Sequence, residues 1–231
     1  MVTPIPVVVA RYAQRAVTVS AAGPVIVRVK QRGRMRMKPG SRWLEFAATE
    51  YFAIDRVQFR WEARFGLMPL TWLTVTDGFE AGEGRLRARL WGQIPVTRAD
   101  GRDVTRAEAM RYLAELFWAP QAFLGNSELR WHDEGSSAAR VTTAAAGEKY
   151  GVTFHFDAGG DITAVRAAAR PRQEGKASID TPWRGDVGEY VSFDGMRMPS
   201  RAQVSWELPD GLFTYWEGEV TSAEIVPAAN Q

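Results

Sequence analysis

Arg111 and Glu115 stand four residues apart in "RYLAELFW", the spacing that places two side chains on one face of a helix. A carboxyl in an apolar setting takes a raised pKa and can then donate or accept a proton, while a neighbouring guanidinium orients it or anchors an anionic group. Glu115 is thus an acid/base candidate with Arg111 as its partner. The same spacing also describes an ordinary surface ion pair worth a few tenths of a kcal/mol. Asp77 is a second acid/base candidate, because it shares parity with Leu73, Val75 and Phe79 and so points inward on a strand. Gly78 beside it fits a turn equally well.

Other chemistries are excluded by what the chain lacks. There is no cysteine, which removes disulfides, thiol nucleophiles and Cys-based zinc sites. Two histidines, His132 and His155, are too few for a His-rich metal site, and no metal is expected. His132 follows Trp131 in a loop beside Asp133 and Glu134, and His155 lies on the wet side of "VTFHFD". No nucleophile elbow, phosphate loop or His-Glu-x-x-His is present, and "GEGRLR" lacks the third glycine of a dinucleotide fingerprint. No cofactor is expected.

The elements that would position these groups are mostly strands. In "RVKQRGRMRMK" (28–38) a cation falls at every second position, against Val29, Gln31, Gly33, Met35 and Met37. Period two makes one face of a strand, not a helical stripe. The tract reads as a solvated strand face and not as a nucleic-acid site, and Gly33 suggests a bulge or bend. Residues 1–91 hold 15 Lys/Arg and 7 Asp/Glu, and residues 92–231 hold 14 and 20. Opposite halves of one sheet can answer each other through cross-strand pairs. "FRWEARF" and "GRLRARLW" alternate in the same way, as half-buried antiparallel strands do. After Trp131 a meander follows, with strands near 139–146, 149–157, 161–170, 187–193, 196–208 and 212–226. A loop is expected over 171–186, and Asp194-Gly195 and "PDG" (209–211) supply hairpin turns.

Two helices are expected. "PGSRWLEFAATEYFAI" (39–54) has helical spacing through Trp43, Phe46, Ala47 and Glu50. "DVTRAEAMRYLAELFWAP" (103–120) opens on a Thr105–Glu108 capping box and stops at Pro120. Its dry stripe is Met110, Leu113, Ala114 and Phe117, and its polar stripe is Glu108, Arg111, Tyr112 and Glu115. The reading is a single mainly-β domain over 1–231: an N-terminal extension (1–24), then a curved antiparallel half-barrel of about ten strands (25–226), with both helices plugging its concave face. Tyr112, Trp118, Trp43, Tyr51, Trp61, Trp183, Trp206 and Trp216 are the expected ligand contacts, with Glu50 and Arg184 at the rim. Periodicity alone leaves open whether this interior is a cavity or a filled aromatic core.

Three stretches carry a resemblance. "RYLAELFWAPQAFL" (111–124), "SRWLEFAATEYF" (41–52) with "FRWEAR" (59–64), and "DTPWRGDVGEYVSFDGMRMPSRAQVSWELPDGLFTYWEGEVT" (180–221) resemble a bacterial family of domains of unknown function. That family shares an Arg-Tyr-Leu-x-Glu-x-x-Trp-x-Pro helix and looks similar to the LolA and LolB lipoprotein carriers, with the cofactor-independent enzyme VioE in the same architecture. The resemblance implies a hydrophobic cavity and does not fix an activity. The expected function is binding of a hydrophobic or aromatic small molecule. The ligand is expected to be transformed without a cofactor by acid/base and shape catalysis (a cyclase, isomerase or hydrolase), with non-catalytic carriage of a lipid-like ligand as the alternative. "MVTPIPVVVARYAQR" lacks the apolar core of a secretory signal, and no window reaches the ~20 apolar residues of a membrane span. A cytoplasmic location without membrane insertion is therefore expected.

Overall fold

Side-chain alternation accounts for most of the architecture: from Phe59 to Phe65 every odd-numbered residue is buried and every even-numbered one exposed. A computed structural model describes residues 4–18, 25–66, 71–145, 147–175 and 177–228. In chain order the elements are α1 (Val7–Ala16), β1 (Val25–Met35), β2 (Leu44–Ala53), β3 (Phe59–Phe65), β4 (Leu73–Glu80), β5 (Glu83–Leu90) and β6 (Ile94–Ala99). Then come α2 (Arg102–Ala114), a 3-10 turn (Leu116–Trp118), α3 (Ala122–Gly125), β7 (Arg130–Asp133), β8 (Ala138–Ala145) and β9 (Glu148–Phe156). The chain ends in three long strands, β10 (Ile162–Glu174), β11 (Ala177–Phe193), β12 (Met196–Leu208), and a fourth, β13 (Gly211–Pro227).

Among the described residues, thirteen strands form one antiparallel sheet in the order β6-β5-β4-β3-β2-β1-β13-β12-β11-β10-β9-β8-β7. The first and last strands of the chain pair at its middle, and its two edges are β6 and β7. The segment joining those edges is the helical one, so α2 crosses the concave face. It packs on β4 and β5 on one side and on β8, β9 and β10 on the other. A curled sheet with a helix spanning its ends is a half-barrel, and the edges lie where the helix meets them.

The fold class is as the sequence implies, with corrections. Thirteen strands replace about ten: β2, β6 and β7 are the additions, and β2 is the segment 39–54 read as a helix. In it Phe46, Ala48, Glu50 and Phe52 are all buried, a period of two. The loop expected over 171–186 is instead the extended hairpin of β10 and β11. The N-terminal extension carries α1, which buries Val8, Val9, Tyr12, Ala13 and Ala16 against the core. Residues 1–3 and 19–24 of that extension lie outside the described residues. The second helix runs 102–114, not to Pro120, and its capping box is absent. Gly101 is the N-cap, and the Thr105 hydroxyl instead accepts the Gly84 N–H of β5 at 3.1 Å. The Asp194-Gly195 turn forms as expected, with φ of 46° and 76°.

The basic tract is answered by β13. Arg28, Arg32 and Arg34 pair with Glu224, Glu219 and Glu217 directly across the strand junction. This is the charge asymmetry of the two halves made local. The register shift in this pair falls between Lys30 and Gln31, not at Gly33. Gly33 is required by close approach instead: a Cβ there would lie 2.2 Å from the Glu217 carbonyl oxygen and 2.8 Å from the Phe46 ring. Gly33→Ala is therefore expected to lose ~1–3 kcal/mol of stability in chemical denaturation. Gly188→Ala, with no atom within 4 Å of the added carbon, is the control and should stay within ~0.5 kcal/mol. Equal effects would show that backbone contact at Gly33 is not limiting.

Candidate functional site

Beneath α2 the sheet gathers a buried charged network. Arg111 is its centre. Its Nη1 donates to Asp77 Oδ2 at 2.7 Å and its Nη2 to Glu50 Oε1 at 3.2 Å. Its Nε donates to the two Glu115 oxygens at 3.0 and 3.2 Å. The guanidinium also stacks on Phe59 and Trp61, at 5.1 and 4.9 Å from the ring centroids. One side chain thereby ties α2 to β2, β3 and β4. Gln31 of β1 extends the network: its Nε2 donates to Glu50 Oε2 at 2.9 Å, and its Oε1 accepts from Trp61 Nε1 at 3.0 Å.

Too many carboxyls converge here for all to be ionised. Glu50 has 0% of its side chain exposed. Burial, then the Glu115 charge, pushes its carboxyl well above the usual carboxylate range. Glu108 is raised well above that range by burial and then by Asp77. Asp77 is raised by burial, with Arg111 opposing. Asp77 Oδ1 and Glu108 Oε2 are both buried and lack a hydrogen-bond partner among the described residues, so a proton shared between these two carboxyls would relieve both. Burial alone would lower the Arg111 pKa, but Glu115, Glu50 and Asp77 together hold it above its ordinary value. Burial thus favours the neutral form of Glu50 and Glu108 beside the single Arg111 cation.

Beside this network lies a cavity of about 510 Å³, within the range of small-molecule sites. Trp61, Phe65, Trp183, Tyr215 and Trp216 contribute to its wall, and Asp77, Arg111, Glu115 and Arg170 are its charged lining groups. Met37, Trp72 and Val96 line it too and are exposed, Met37 by 76%, so they mark its mouth. The interior is thus a cavity and not a filled core. A second hollow, about 740 Å³, runs over Arg32, Arg34, Glu217 and Glu219. Those charges are paired with each other.

The structure brings together Arg111, Glu115 and Asp77, and places Trp61, Trp183 and Trp216 on the cavity wall. Trp206 stands just behind, stacked on Tyr215 at 5.6 Å. Four expected contacts lie elsewhere. Tyr112 is fully buried, its hydroxyl donating to the Ala53 carbonyl and accepting from Asn126, both at 2.8 Å. Trp118 is buried against the sheet, with Nε1 donating to the Pro199 carbonyl at 3.1 Å. Trp43 faces outward, with the Arg34 and Arg36 guanidinium groups on its ring, and Tyr51 faces outward under Arg60. Both errors follow from reading β2 as a helix, since on a strand adjacent residues point to opposite faces. Glu50, expected at the rim, is at the centre. Arg184 bonds Asp186. His132 sits on edge strand β7, 3.3 Å from the Thr142 hydroxyl, and not in a loop.

Gln31, Glu108 and Arg170 were not foreseen as site residues. Gln31 and Glu50 were within reach of parity, each sitting among buried apolar residues of its own strand. Glu108 belongs to the stripe expected to be polar, but the sheet wraps α2 so far round that this face is buried too. Arg170 had no signal. A register shift between Ala167 and Arg170 turns it inward.

Over residues 1–218 the chain matches a family of unknown function, DUF6544. No curated protein matches it. Among solved structures it is similar to a domain described as an outer membrane lipoprotein-sorting protein from Vibrio parahaemolyticus. That likeness has a TM-score of 0.52 at 9% identity, over 96% of this chain and 93% of the other. A DUF1329 family protein from Desulfovibrio piger aligns at a TM-score of 0.46 and 10% identity, over 97% and 92% of the two chains. A LolA superfamily protein from Nitrosomonas europaea aligns at 0.47 and 6% identity, over 98% and 96%. The likeness to the Vibrio domain is one of fold. Among the described residues, no helix is long and apolar enough to cross a membrane.

Proposed function

The chain belongs to the DUF6544 family, and from that premise we propose that it binds a hydrophobic small molecule in the half-barrel cavity and releases it unchanged. The observation that carries this reading is the commitment of the cavity carboxylates. Both Glu115 oxygens and Asp77 Oδ2 already accept hydrogen bonds from Arg111, so these oxygens are engaged in holding α2 before any ligand arrives. The proton-bearing groups, Glu50 and Glu108, are not on the cavity wall. What the wall offers a ligand is chiefly aromatic and aliphatic surface, worth ~25 cal/mol per Å² of apolar area removed from water. The Vibrio protein's lipoprotein sorting belongs to that protein; for this chain the reading rests on the cavity.

The test uses N-phenyl-1-naphthylamine, an uncharged probe that fluoresces in apolar surroundings. The wild-type protein should bind it, and Val75→Trp, which fills the cavity from β4, should lose binding at least ~10-fold while melting as a folded protein. Undiminished binding by a folded Val75→Trp would sink the cavity reading.

One observation favours a catalytic alternative: burial raises the Glu50 carboxyl well above the ordinary range, and Arg111 bonds both it and the cavity-lining Glu115, so a proton reservoir lies one group behind the cavity wall. Native mass spectrometry after incubation with a metabolite extract separates the two readings. A carrier returns the same ligand mass from wild type and Glu115→Gln. An enzyme returns an altered mass from wild type and the unaltered one from the variant.

A further inference from the structure

The cavity holds a second cation, and it is not committed. Arg170 on β10 is 9% exposed and lines the cavity. Its guanidinium is flanked by Trp183 and Trp206, at 5.0 and 6.0 Å from their centroids. Among the described residues its one side-chain hydrogen bond runs from Nη2 to the Ala107 carbonyl at 3.3 Å. Its Nε is buried with no acceptor. Asp77 and Glu108 feel its charge, but among the described residues no carboxylate oxygen lies within 4.0 Å of it. Arg111 has three carboxyl partners and Arg170 has none. A buried guanidinium with an unused N–H is costly unless something accepts from it.

Resting on the binding function proposed above, we propose that the cavity is built for an amphipathic monoanion, a long-chain or aromatic carboxylic acid, whose carboxylate is held by Arg170. The guanidinium fork matches a carboxylate in two parallel hydrogen bonds, and a single uncommitted arginine suits one negative charge. Tyr215 supplies a second donor. Its hydroxyl accepts from Trp183 Nε1 at 3.0 Å, which leaves its own proton for a ligand oxygen. The cavity carboxylates already face a cation of their own: both Glu115 oxygens and Asp77 Oδ2 accept from Arg111. The polarity of the cavity sets the orientation. Arg170 is at the buried end, and Met37, Trp72 and Val96 are at the exposed end. The head enters first, and the apolar tail covers the mouth.

Three probes with the same twelve-carbon chain test this: dodecanoate, dodecanol and dodecylamine, titrated below their micelle concentrations at pH 8 and followed by tryptophan fluorescence. Wild type should bind dodecanoate ~10- to 100-fold more tightly than dodecanol. Arg170→Gln should bring dodecanoate down to the dodecanol level and leave dodecanol binding unchanged, which also shows that the variant is folded. Tyr215→Phe should give a smaller loss for dodecanoate alone. Tighter binding of dodecylamine than of dodecanoate would overturn the proposal, as would dodecanoate affinity that survives Arg170→Gln. Equal binding of acid and alcohol by wild type defeats the anchor and leaves the cavity reading intact. If wild type binds none of the three and also fails to bind the naphthylamine probe, the cavity reading itself falls.

Discussion

Replacing Arg111 by methionine is expected to cost about 3–5 kcal/mol of unfolding free energy at pH 7, the usual loss when one partner of a buried ion pair is removed. Methionine keeps much of the stem that packs on Phe59 and Trp61, so the loss is chiefly electrostatic. Asp77 and Glu115 would lose the guanidinium that both bond, beside Glu50 and Glu108, whose carboxyls burial raises. The deficit should shrink as the pH falls toward 5, because a protonated carboxyl needs no counter-charge. Arg111→Lys should fall between, since one ammonium cannot span the three carboxyls that Arg111 reaches. Urea unfolding at pH 7 and pH 5 measures all of this. A methionine variant within ~1 kcal/mol of wild type at both pH values would mean that the network does not hold α2 to the sheet.

Glu50→Gln should go the other way and stabilise the protein at pH 8. The sign follows from the direction of the Glu50 shift, which burial drives upward. Below the ordinary carboxylate pKa, the folded and unfolded chains both carry the proton, and the full stability is present. As the pH rises toward the folded value, only the unfolded chain releases its proton, so wild-type stability falls. Each unit of separation is worth about 1.4 kcal/mol. Glutamine mimics the protonated acid at every pH and does not titrate. The difference between the variant and wild type should therefore be near zero at pH 4 and grow to pH 8. Glu50→Ala, which abandons Gln31 Nε2 and leaves a hollow, should destabilise throughout. If the glutamine variant is weaker than wild type at neutral pH, Glu50 is an ionised partner of Arg111 and the protonation scheme is wrong.

These variants also bear on function. A network that mainly fixes α2 shapes the cavity without reacting with its contents, so Arg111→Met should weaken ligand binding through loss of structure. Arg170→Gln should weaken it without a matching loss of stability. Measuring melting and probe binding together distinguishes a group that positions α2 from one that touches the ligand.

The sequence by itself determined the faces of most strands, and the reason is local. Period-two alternation in 28–38, 59–65 and 85–90 can be satisfied only by a strand with one dry side. The Asp194-Gly195 and "PDG" turns then fix which strands are neighbours. Helical spacing likewise put Arg111 beside Glu115, and parity put Asp77 inward. The tertiary structure decided the rest. Residues 39–54 satisfy a helical period and a strand period at once, and pairing of β2 between β1 and β3 selects the strand. That choice moves Glu50 from a rim to the centre and turns Trp43 and Tyr51 to the outside. The shift between Ala167 and Arg170 reverses parity within a single strand, and no local pattern announces it. The burial of the polar stripe of α2 depends on β4 and β10 meeting the same helix from opposite sides. Residues far apart in the chain can share that helix only because β1 closes on β13 and curls the sheet. The cluster of Glu50, Asp77, Glu108 and Arg111 forms only when α2 folds over β2 and β4, and it is invisible until then.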